Sequence, residues 1–248
     1  MSAHETLGVD VAELLRRRTA DGMLLDRRNG EEDLLATAMV IPTFAERGRT
    51  EEAVRAAEAL ARRRDHTGGW DDPWTTVIAL EAFIGLKLRG VPFEDIDGVI
   101  DRAVEVLRGT VPLPSREREL RLSRALVLAG LSKQEATLVD AGLLRARGVL
   151  DGNEQGWRED LGEALHGLLA LVDLHAVTRD EATAALIRER FDAFGFIGSR
   201  RWSELQPVDS IARAGIVLAK MNHENEARAA YDLCLGAAAE TLDTISLK

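Results

Sequence analysis

The chain has 248 residues, of which 46% are hydrophobic and 30% are charged, and its formal net charge is −10. This composition is typical of a globular protein, and the acidic balance argues against a nucleic-acid partner because phosphate binding depends on clustered Lys and Arg. No apolar run approaches the roughly 20 residues that cross a bilayer, and the N-terminus lacks the features of a signal peptide, so we expect a cytoplasmic protein without a membrane span.

Eleven helices are predicted, and two kinds of helix alternate along the chain. The even-numbered helices, from the second to the tenth, carry few charges. The centres of these five helices lie roughly 44 residues apart. Such apolar helices are buried, whereas the amphipathic helices between them lie at a surface. The alternation therefore predicts five inner and six outer helices. In chain order the eleven cover 9–20, 34–44, 50–64, 74–83, 93–108, 120–131, 133–147, 161–174, 178–191, 208–221 and 223–242.

The regular spacing predicts a repeat of helical hairpins, in which each hairpin buries its apolar face against the next. Period-two alternation, the signal of a strand, is absent. An open solenoid and a closed α/α toroid both satisfy the pattern, but the helices of a solenoid are usually all amphipathic. The large difference in polarity between the two helix sets favours the toroid. We therefore predict an all-α fold, a complete or incomplete α/α toroid that forms a single domain over 1–248.

A loop rich in glycine and tryptophan precedes the fourth helix, in the stretch TGGWDDPWTTVIALEAF (67–83). Glycines permit a turn with positive φ, and an aspartate then caps the next helix. The string Gly68-Gly69-Trp70, followed by Pro73, resembles the loop-to-helix junction in repeats of the squalene-hopene cyclase and protein prenyltransferase superfamily. From the residues themselves, large aromatic side chains in this loop and in its weaker echoes at 153–165 and 192–215 are predicted to fill the gap between hairpins rather than to contact a ligand: Trp70, Trp157 and Trp202.

The resemblance also points to a candidate catalytic acid. Cyclases of this superfamily that protonate an alkene carry the motif DxDDTA at the start of an inner helix, and the nearest string here is PVDSIA (207–212). It keeps the central aspartate, so the resemblance implies that Asp209 donates the proton. Proline, serine and isoleucine stand at the neighbouring motif positions. Asp33 and Asp72 lie at similar offsets in their own helices, and helix N-capping explains all three aspartates equally well.

Other side chains complete the predicted site. Asp72 or His166 would be an auxiliary polar group, although His166 is also explained as a hydrogen-bonded core histidine. If the toroid is closed, aromatic residues at the ends of the inner helices line its central cavity and contact an apolar substrate: Trp74, Trp202, Phe44 and Phe83. Because cation–π contacts stabilise carbocations, such residues suit a cyclase.

No metal or cofactor is predicted. The DDxxD motif that binds magnesium-diphosphate in ionising terpene synthases is missing. The zinc ligands of protein prenyltransferases are an Asp, a Cys and a His, but Cys234 lies in a predicted outer helix, away from Asp209. The apolar neighbours of Cys234 favour a packing role over a reactive one.

The leading functional prediction is a cofactor-independent cyclase or isomerase. Its substrate would be a largely apolar, isoprenoid-like small molecule, and acid protonation by Asp209 would start the reaction. This prediction depends mainly on the resemblance of fold, and a fold does not fix a function. The alternative is a non-enzymatic helical-repeat scaffold that binds a protein partner or a metabolite.

Overall fold

The computed structural model describes residues 11–150, 161–179, 181–194, 208–225, 227–232 and 234. Within these ranges, side chains are described except those of 150, 161–166, 182, 186, 190–194 and 208–213.

Helices occur where the sequence predicts them. Ten have defined bounds, and further helical residues lie at 224–225, 227–232 and 234. The ends differ from the predicted ones by a few residues, as helix ends commonly do. The bounds are α1 Val11–Arg16, α2 Leu34–Glu46, α3 Thr50–Arg62, α4 Pro73–Leu88, α5 Ile96–Arg108, α6 Arg116–Lys133, α7 Ala136–Leu150, α8 Leu161–Thr178, α9 Glu181–Phe194 and α10 Val208–Lys220.

The fold of the described residues is all-α, as predicted. Extended pairing among them is limited to two isolated bridges, one between Arg18 and Leu24 and one between Leu25 and Glu32. Throughout the described ranges, no helix combines the length and the apolar character needed to cross a bilayer.

Residues 1–113 and 128–139 form one compact unit, and residues 114–127 and 140–248 form a second. In the first unit, α2 and α4 pack side by side, α3 packs on α2, and α5 packs on α4. In the second unit, α8 contacts both α9 and α10. In the first unit, the amphipathic helices α3 and α5 therefore pack on the neighbouring apolar pair α2 and α4. The closed toroid and the single domain over 1–248 stay predictions.

The burial of the helices in the first unit follows their composition. Helix α4 is apolar on nearly all sides, and most of its residues are buried, including Ile78, Leu80 and Phe83. Helix α3 buries one stripe, which consists of four alanines and Leu60, and exposes its charged face. Small residues on α3 allow it to pack closely on α2. This difference identifies α4 as a core helix and α3 as a surface helix.

In the second unit, a buried ion pair joins the start of α6 to α7. Glu119 is only 5% exposed, and both of its carboxylate oxygens accept hydrogen bonds from the Arg145 guanidinium. The two helices approach closely here, since a Cβ added at Gly142 would lie 2.7 Å from the backbone oxygen of Ser123. A buried charge needs such a partner, because removing it from water is costly.

Candidate functional site

The glycine–tryptophan loop is built around the carboxylate of Asp65. Asp65 Oδ1 accepts hydrogen bonds from Thr67 N at 2.7 Å, Thr67 Oγ1 at 2.6 Å, Gly68 N at 3.0 Å and Gly69 N at 3.2 Å. The backbone closes the turn, since Asp65 N donates to Gly69 O at 3.0 Å. These hydrogen bonds hold the pKa of Asp65 below its ordinary value of 3.8, with the Thr67 hydroxyl as the largest cause. The carboxylate therefore stabilises the loop in its ionised form.

Trp70, which follows this turn, is a core residue. Its side chain is 1% exposed, and Nε1 donates to Leu60 O at 2.8 Å, which ties the loop to the end of α3. The indole stacks on Phe83 with ring centroids 5.8 Å apart, and Phe83 in turn meets Phe93 edge-on at 5.3 Å. This arrangement confirms the predicted packing role of Trp70.

Asp72 begins α4 as its N-cap. Its carboxylate accepts hydrogen bonds from Trp74 N at 2.6 Å, Thr75 N at 3.1 Å and Thr75 Oγ1 at 2.9 Å. Thr76 lies one turn further, where its Oγ1 accepts from Trp70 N at 3.0 Å. The same hydroxyl lies 3.1 Å from Asp72 O and 3.2 Å from Trp70 O. Thr76 therefore fixes the position of the loop on the helix that follows it.

Among the described residues, the same junction is also found before α2. Asp33 caps α2 by accepting from Ala36 N at 2.8 Å. Thr37, four residues after this cap, donates to Asp33 O and accepts from Leu24 N at 2.9 Å. Leu24 thus takes the place of Trp70, and Thr37 that of Thr76. Both aspartates are confirmed as N-caps, whereas the threonine four residues later was missed, although the spacing Asp-x-x-x-Thr is visible in the sequence.

The turns before these junctions are also equivalent. Thr19 N donates to Met23 O at 2.8 Å, as Asp65 N does to Gly69 O. Gly22 and Gly68 occupy matching places with φ of 111° and 98°. A Cβ at Gly22 would lie 2.7 Å from the backbone oxygen of Arg55, and one at Gly68 would lie 2.7 Å from Arg102 Cβ. Each glycine therefore lets the next outer helix approach the loop, as well as permitting the turn.

The two junctions differ in the length of chain before the cap. In the second, only Asp71 separates Trp70 from Asp72, and Asp71 has a positive φ of 41°. In the first, the segment 25–32 stands between Leu24 and Asp33. Its ends meet, because Asp33 N donates to Leu24 O at 2.8 Å. Most of this segment is exposed.

The predicted aromatic site residues do not share one environment. Phe44 and Phe83 have no accessible surface, so neither can contact a ligand unless the core rearranges. Trp74 is half-buried in the first turn of α4. Asp72 is exposed, and its carboxylate is engaged in the cap. The described residues therefore do not bring the aromatic side chains predicted to line the cavity together in one site with the carboxylate of Asp72.

The remaining predicted residues are described only in part. Asp209 lies in the first turn of α10 and His166 lies in α8, but their side chains are outside the described set. Trp157 and Trp202 lie outside the described residues altogether. Cys234 is half-buried, and burial raises the pKa of its thiol, which agrees with a packing role. Nowhere in the described part of the chain do three His, Cys, Asp or Glu side chains meet as metal ligands would.

The repeated threonine provides a first testable prediction. Thr76→Val keeps the shape of the side chain but leaves the buried Trp70 N–H without its acceptor, which is expected to cost about 1 to 3 kcal/mol. Thr37→Val should cost a similar amount, because Leu24 N loses the same partner. Urea unfolding measures both changes. Thr137→Val, at an exposed position of α7, is the control. Losses no larger than that of the control would show that the hydroxyls do not secure the junctions.

A second prediction concerns the pH dependence of Asp65. Its native pKa lies below its ordinary value of 3.8. The stabilisation that the ionised Asp65 carboxylate gives to the folded loop is therefore fully present above about pH 4 and is lost as the pH falls through the native pKa. NMR titration of the side-chain carboxyl should give a pKa below 3.8, and Thr67→Ala should raise it by removing the largest cause. An unchanged pKa in Thr67→Ala would contradict this assignment.

The geometry thus shows two copies of a capped junction between hairpins, in which polar side chains hold the loops to the helices. Comparison with known proteins adds no family to this description: no protein-family model, curated protein or solved structure matches the chain.

Proposed function

We propose that this chain is a non-enzymatic helical-repeat scaffold that binds a protein partner. Within the described part of the chain, the carboxylates of the second junction serve the fold, since Asp65 accepts several hydrogen bonds from its own loop and Asp72 accepts several from the first turn of α4. Phe44 and Phe83, which would line a catalytic cavity, lie in the core. These placements favour binding at a surface over chemistry in a cavity.

The observation that carries the proposal is a pair of exposed leucines, both in the first unit, near the C-terminal ends of α4 and α6. Leu88 is 64% exposed at the end of α4, and Leu131 is 49% exposed near the end of α6. Lys87 Nζ donates to Ser132 O at 3.2 Å, so these two helix ends are neighbours. Single exposed leucines are common on proteins, but here two lie at neighbouring helix ends, and we infer that an apolar segment of a partner covers both.

The experiment compares the double variant Leu88→Asp/Leu131→Asp with the wild type. Proteins from extracts of the source organism that the wild-type chain retains are identified. Each one is then purified, and the Kd of its complex with the wild type and with each variant is measured directly. We expect one partner whose Kd rises at least tenfold in the double variant, which corresponds to about 1.4 kcal/mol. Leu144→Asp is the matched control, because Leu144 is 72% exposed on α7. Equal Kd values for all three proteins would reject the leucine pair as the binding surface.

The cyclase or isomerase is a second candidate, and one observation favours it. Trp74 is half-buried in the first turn of α4, where an indole can contact an apolar ligand, and Asp209 lies in the corresponding first turn of α10. Incubation with linear isoprenoids, followed by mass spectrometry of the products, tests this function. Turnover that Asp209→Asn abolishes and Asp33→Asn preserves would establish the acid-initiated reaction and overturn the scaffold. Asparagine suits both positions, because it retains the ability to cap a helix.

A further inference from the structure

We propose that Asn29 is a site of spontaneous deamidation and that the folded tip loop, residues 26–31, keeps this modification slow. Asn29 and Gly30 are both exposed. Gly30 has a φ of 71°, and an added Cβ there would meet no described atom within 4 Å. Because glycine has no side chain, its backbone nitrogen is unhindered as a nucleophile. Asparagine is among the chemically labile residues, so the two form a reactive pair at an accessible position.

The reaction needs only the chain and water. The Gly30 nitrogen attacks Asn29 Cγ, a C–N bond forms between them, and the bond from Cγ to Nδ2 breaks. The amide nitrogen leaves as ammonia, with the proton that the Gly30 nitrogen gives up. Water then opens the cyclic imide at one of its two carbonyl carbons, which yields aspartate or isoaspartate. No electron is transferred, and the product carries one negative charge more than asparagine.

The tip loop holds the nucleophile in an unreactive state. Gly30 N donates to Asp26 O at 3.0 Å, and Asp26 N donates to Glu31 O at 2.8 Å, which closes the loop. The lone pair of a peptide nitrogen is delocalised into the neighbouring carbonyl, so the nitrogen attacks only after it loses its proton. The hydrogen bond to Asp26 O retains that proton and fixes the direction of the nitrogen. Attack therefore requires the tip loop to open.

The tip loop also fixes the group that would be attacked. Asn29 Nδ2 donates to Glu31 Oε2 at 2.9 Å, and Asn29 Oδ1 accepts from Glu31 N at 3.0 Å. Both polar atoms of the amide are thus engaged by Glu31. Reaction depends on a specific approach of the nucleophile to Cγ, and the side chain can rotate to allow that approach only by breaking these bonds.

Contacts at the base of the tip loop limit how far it opens. Asp33 N donates to Leu24 O at 2.8 Å. The Arg63 guanidinium, which follows the end of α3, binds both carboxylate oxygens of Glu32, with Nε donating to Oε2 at 2.6 Å. Opening is therefore a local event, and the rate of modification follows the population of the open tip loop.

The modification makes this opening irreversible. Isoaspartate adds one carbon to the backbone, and aspartate has no amide to donate to Glu31. In either product the new carboxylate lies in a segment that already contains Asp26, Glu31 and Glu32, where like charges repel one another. The tip loop thus closes less tightly after the reaction, so the state of Asn29 records earlier opening. This property is independent of the partner surface proposed above.

The test follows deamidation of Asn29 by mass spectrometry of peptides. The full chain is incubated at one mildly alkaline pH, either native or unfolded in guanidinium chloride. We expect the native rate to be at least tenfold lower than the unfolded rate. Glu31→Ala removes the acceptor of Asn29 Nδ2, so it should raise the native rate at least threefold and leave the unfolded rate unchanged. Glu94→Ala, at an exposed position outside the tip loop, is the matched control and should behave like the wild type.

Hydrogen exchange provides an independent measurement. The Gly30 amide should exchange slowly in the wild type and faster in Glu31→Ala, because the same opening exposes it. Equal deamidation rates in the native and unfolded chain would overturn the protection by the tip loop. Absence of deamidation in the unfolded chain would overturn the site itself. A native rate unchanged by Glu31→Ala would show that the bonds between Asn29 and Glu31 do not protect the amide.

Discussion

Replacing Trp70 by alanine is expected to lower the free energy of unfolding by about 3 to 5 kcal/mol, the range found when large aromatic side chains are removed from cores. The indole is 1% exposed and stacks on Phe83, so its removal leaves a cavity that the surrounding helices cannot easily fill. The change also leaves Leu60 O without the N–H that Trp70 Nε1 donates to it. Unfolding in urea, followed by circular dichroism, measures the loss.

Trp70→Phe separates the two contributions. Phenylalanine keeps an aromatic ring against Phe83 but cannot donate a hydrogen bond, so it should be clearly less destabilising than alanine. A Trp70→Ala protein as stable as the wild type would mean that the indole is not a core residue. Loss of ligand binding at unchanged stability would instead place Trp70 in a binding site.

The second large effect is expected at the buried ion pair. Arg145→Met should destabilise the second unit by about 3 to 5 kcal/mol, because it removes a charge bound to both oxygens of a carboxylate that is only 5% exposed. Methionine has similar length, so most of the packing of the arginine stem is retained. The loss is measured by thermal or urea unfolding.

A double-mutant cycle tests the cause of this loss. Glu119→Leu in the Arg145→Met background removes the buried charge altogether and should recover a large part of the stability, since apolar replacement of a buried pair is often neutral or stabilising. Arg147→Met is the control, because Arg147 is exposed on the same helix. Additive losses for the two single variants would show that Glu119 and Arg145 are not coupled.

The positions of the helices could be predicted from the sequence because burial imposes a helical period on apolar residues. The caps at Asp33 and Asp72 could also be predicted, since each aspartate directly precedes an apolar helix. The partners of Thr37 and Thr76 could not, because the spacing Asp-x-x-x-Thr places each threonine after its cap but does not show which loop N–H its hydroxyl accepts from. Their contacts depend on how the preceding loop folds back.

The environment of Phe83 shows a second limit. Helix α4 is apolar on nearly every side, so its sequence contains no stripe that tells which face points to a neighbouring helix and which to a cavity. The structure places Phe83 between Trp70 and Phe93, which come from loops on either side of the helix. Likewise, the buried Nη1 groups of Arg18 and Arg64 belong to side chains that a sequence presents as ordinary surface charges at a helix end.

The unequal lengths of the two junctions have a consequence for how this repeat can change. The two ends of the segment 25–32 are held together by the hydrogen bond between Asp33 N and Leu24 O. The positions of the helices on either side therefore do not depend on the length of this segment. Closing a longer loop costs little additional entropy. A foreign peptide inserted between Asn29 and Gly30 should therefore leave the core intact, whereas the same insertion at Asp71 would pull the Asp72 cap away from Trp70. The first junction is thus the place where this architecture can acquire new recognition elements, by evolution or by grafting, without redesign of its hairpins.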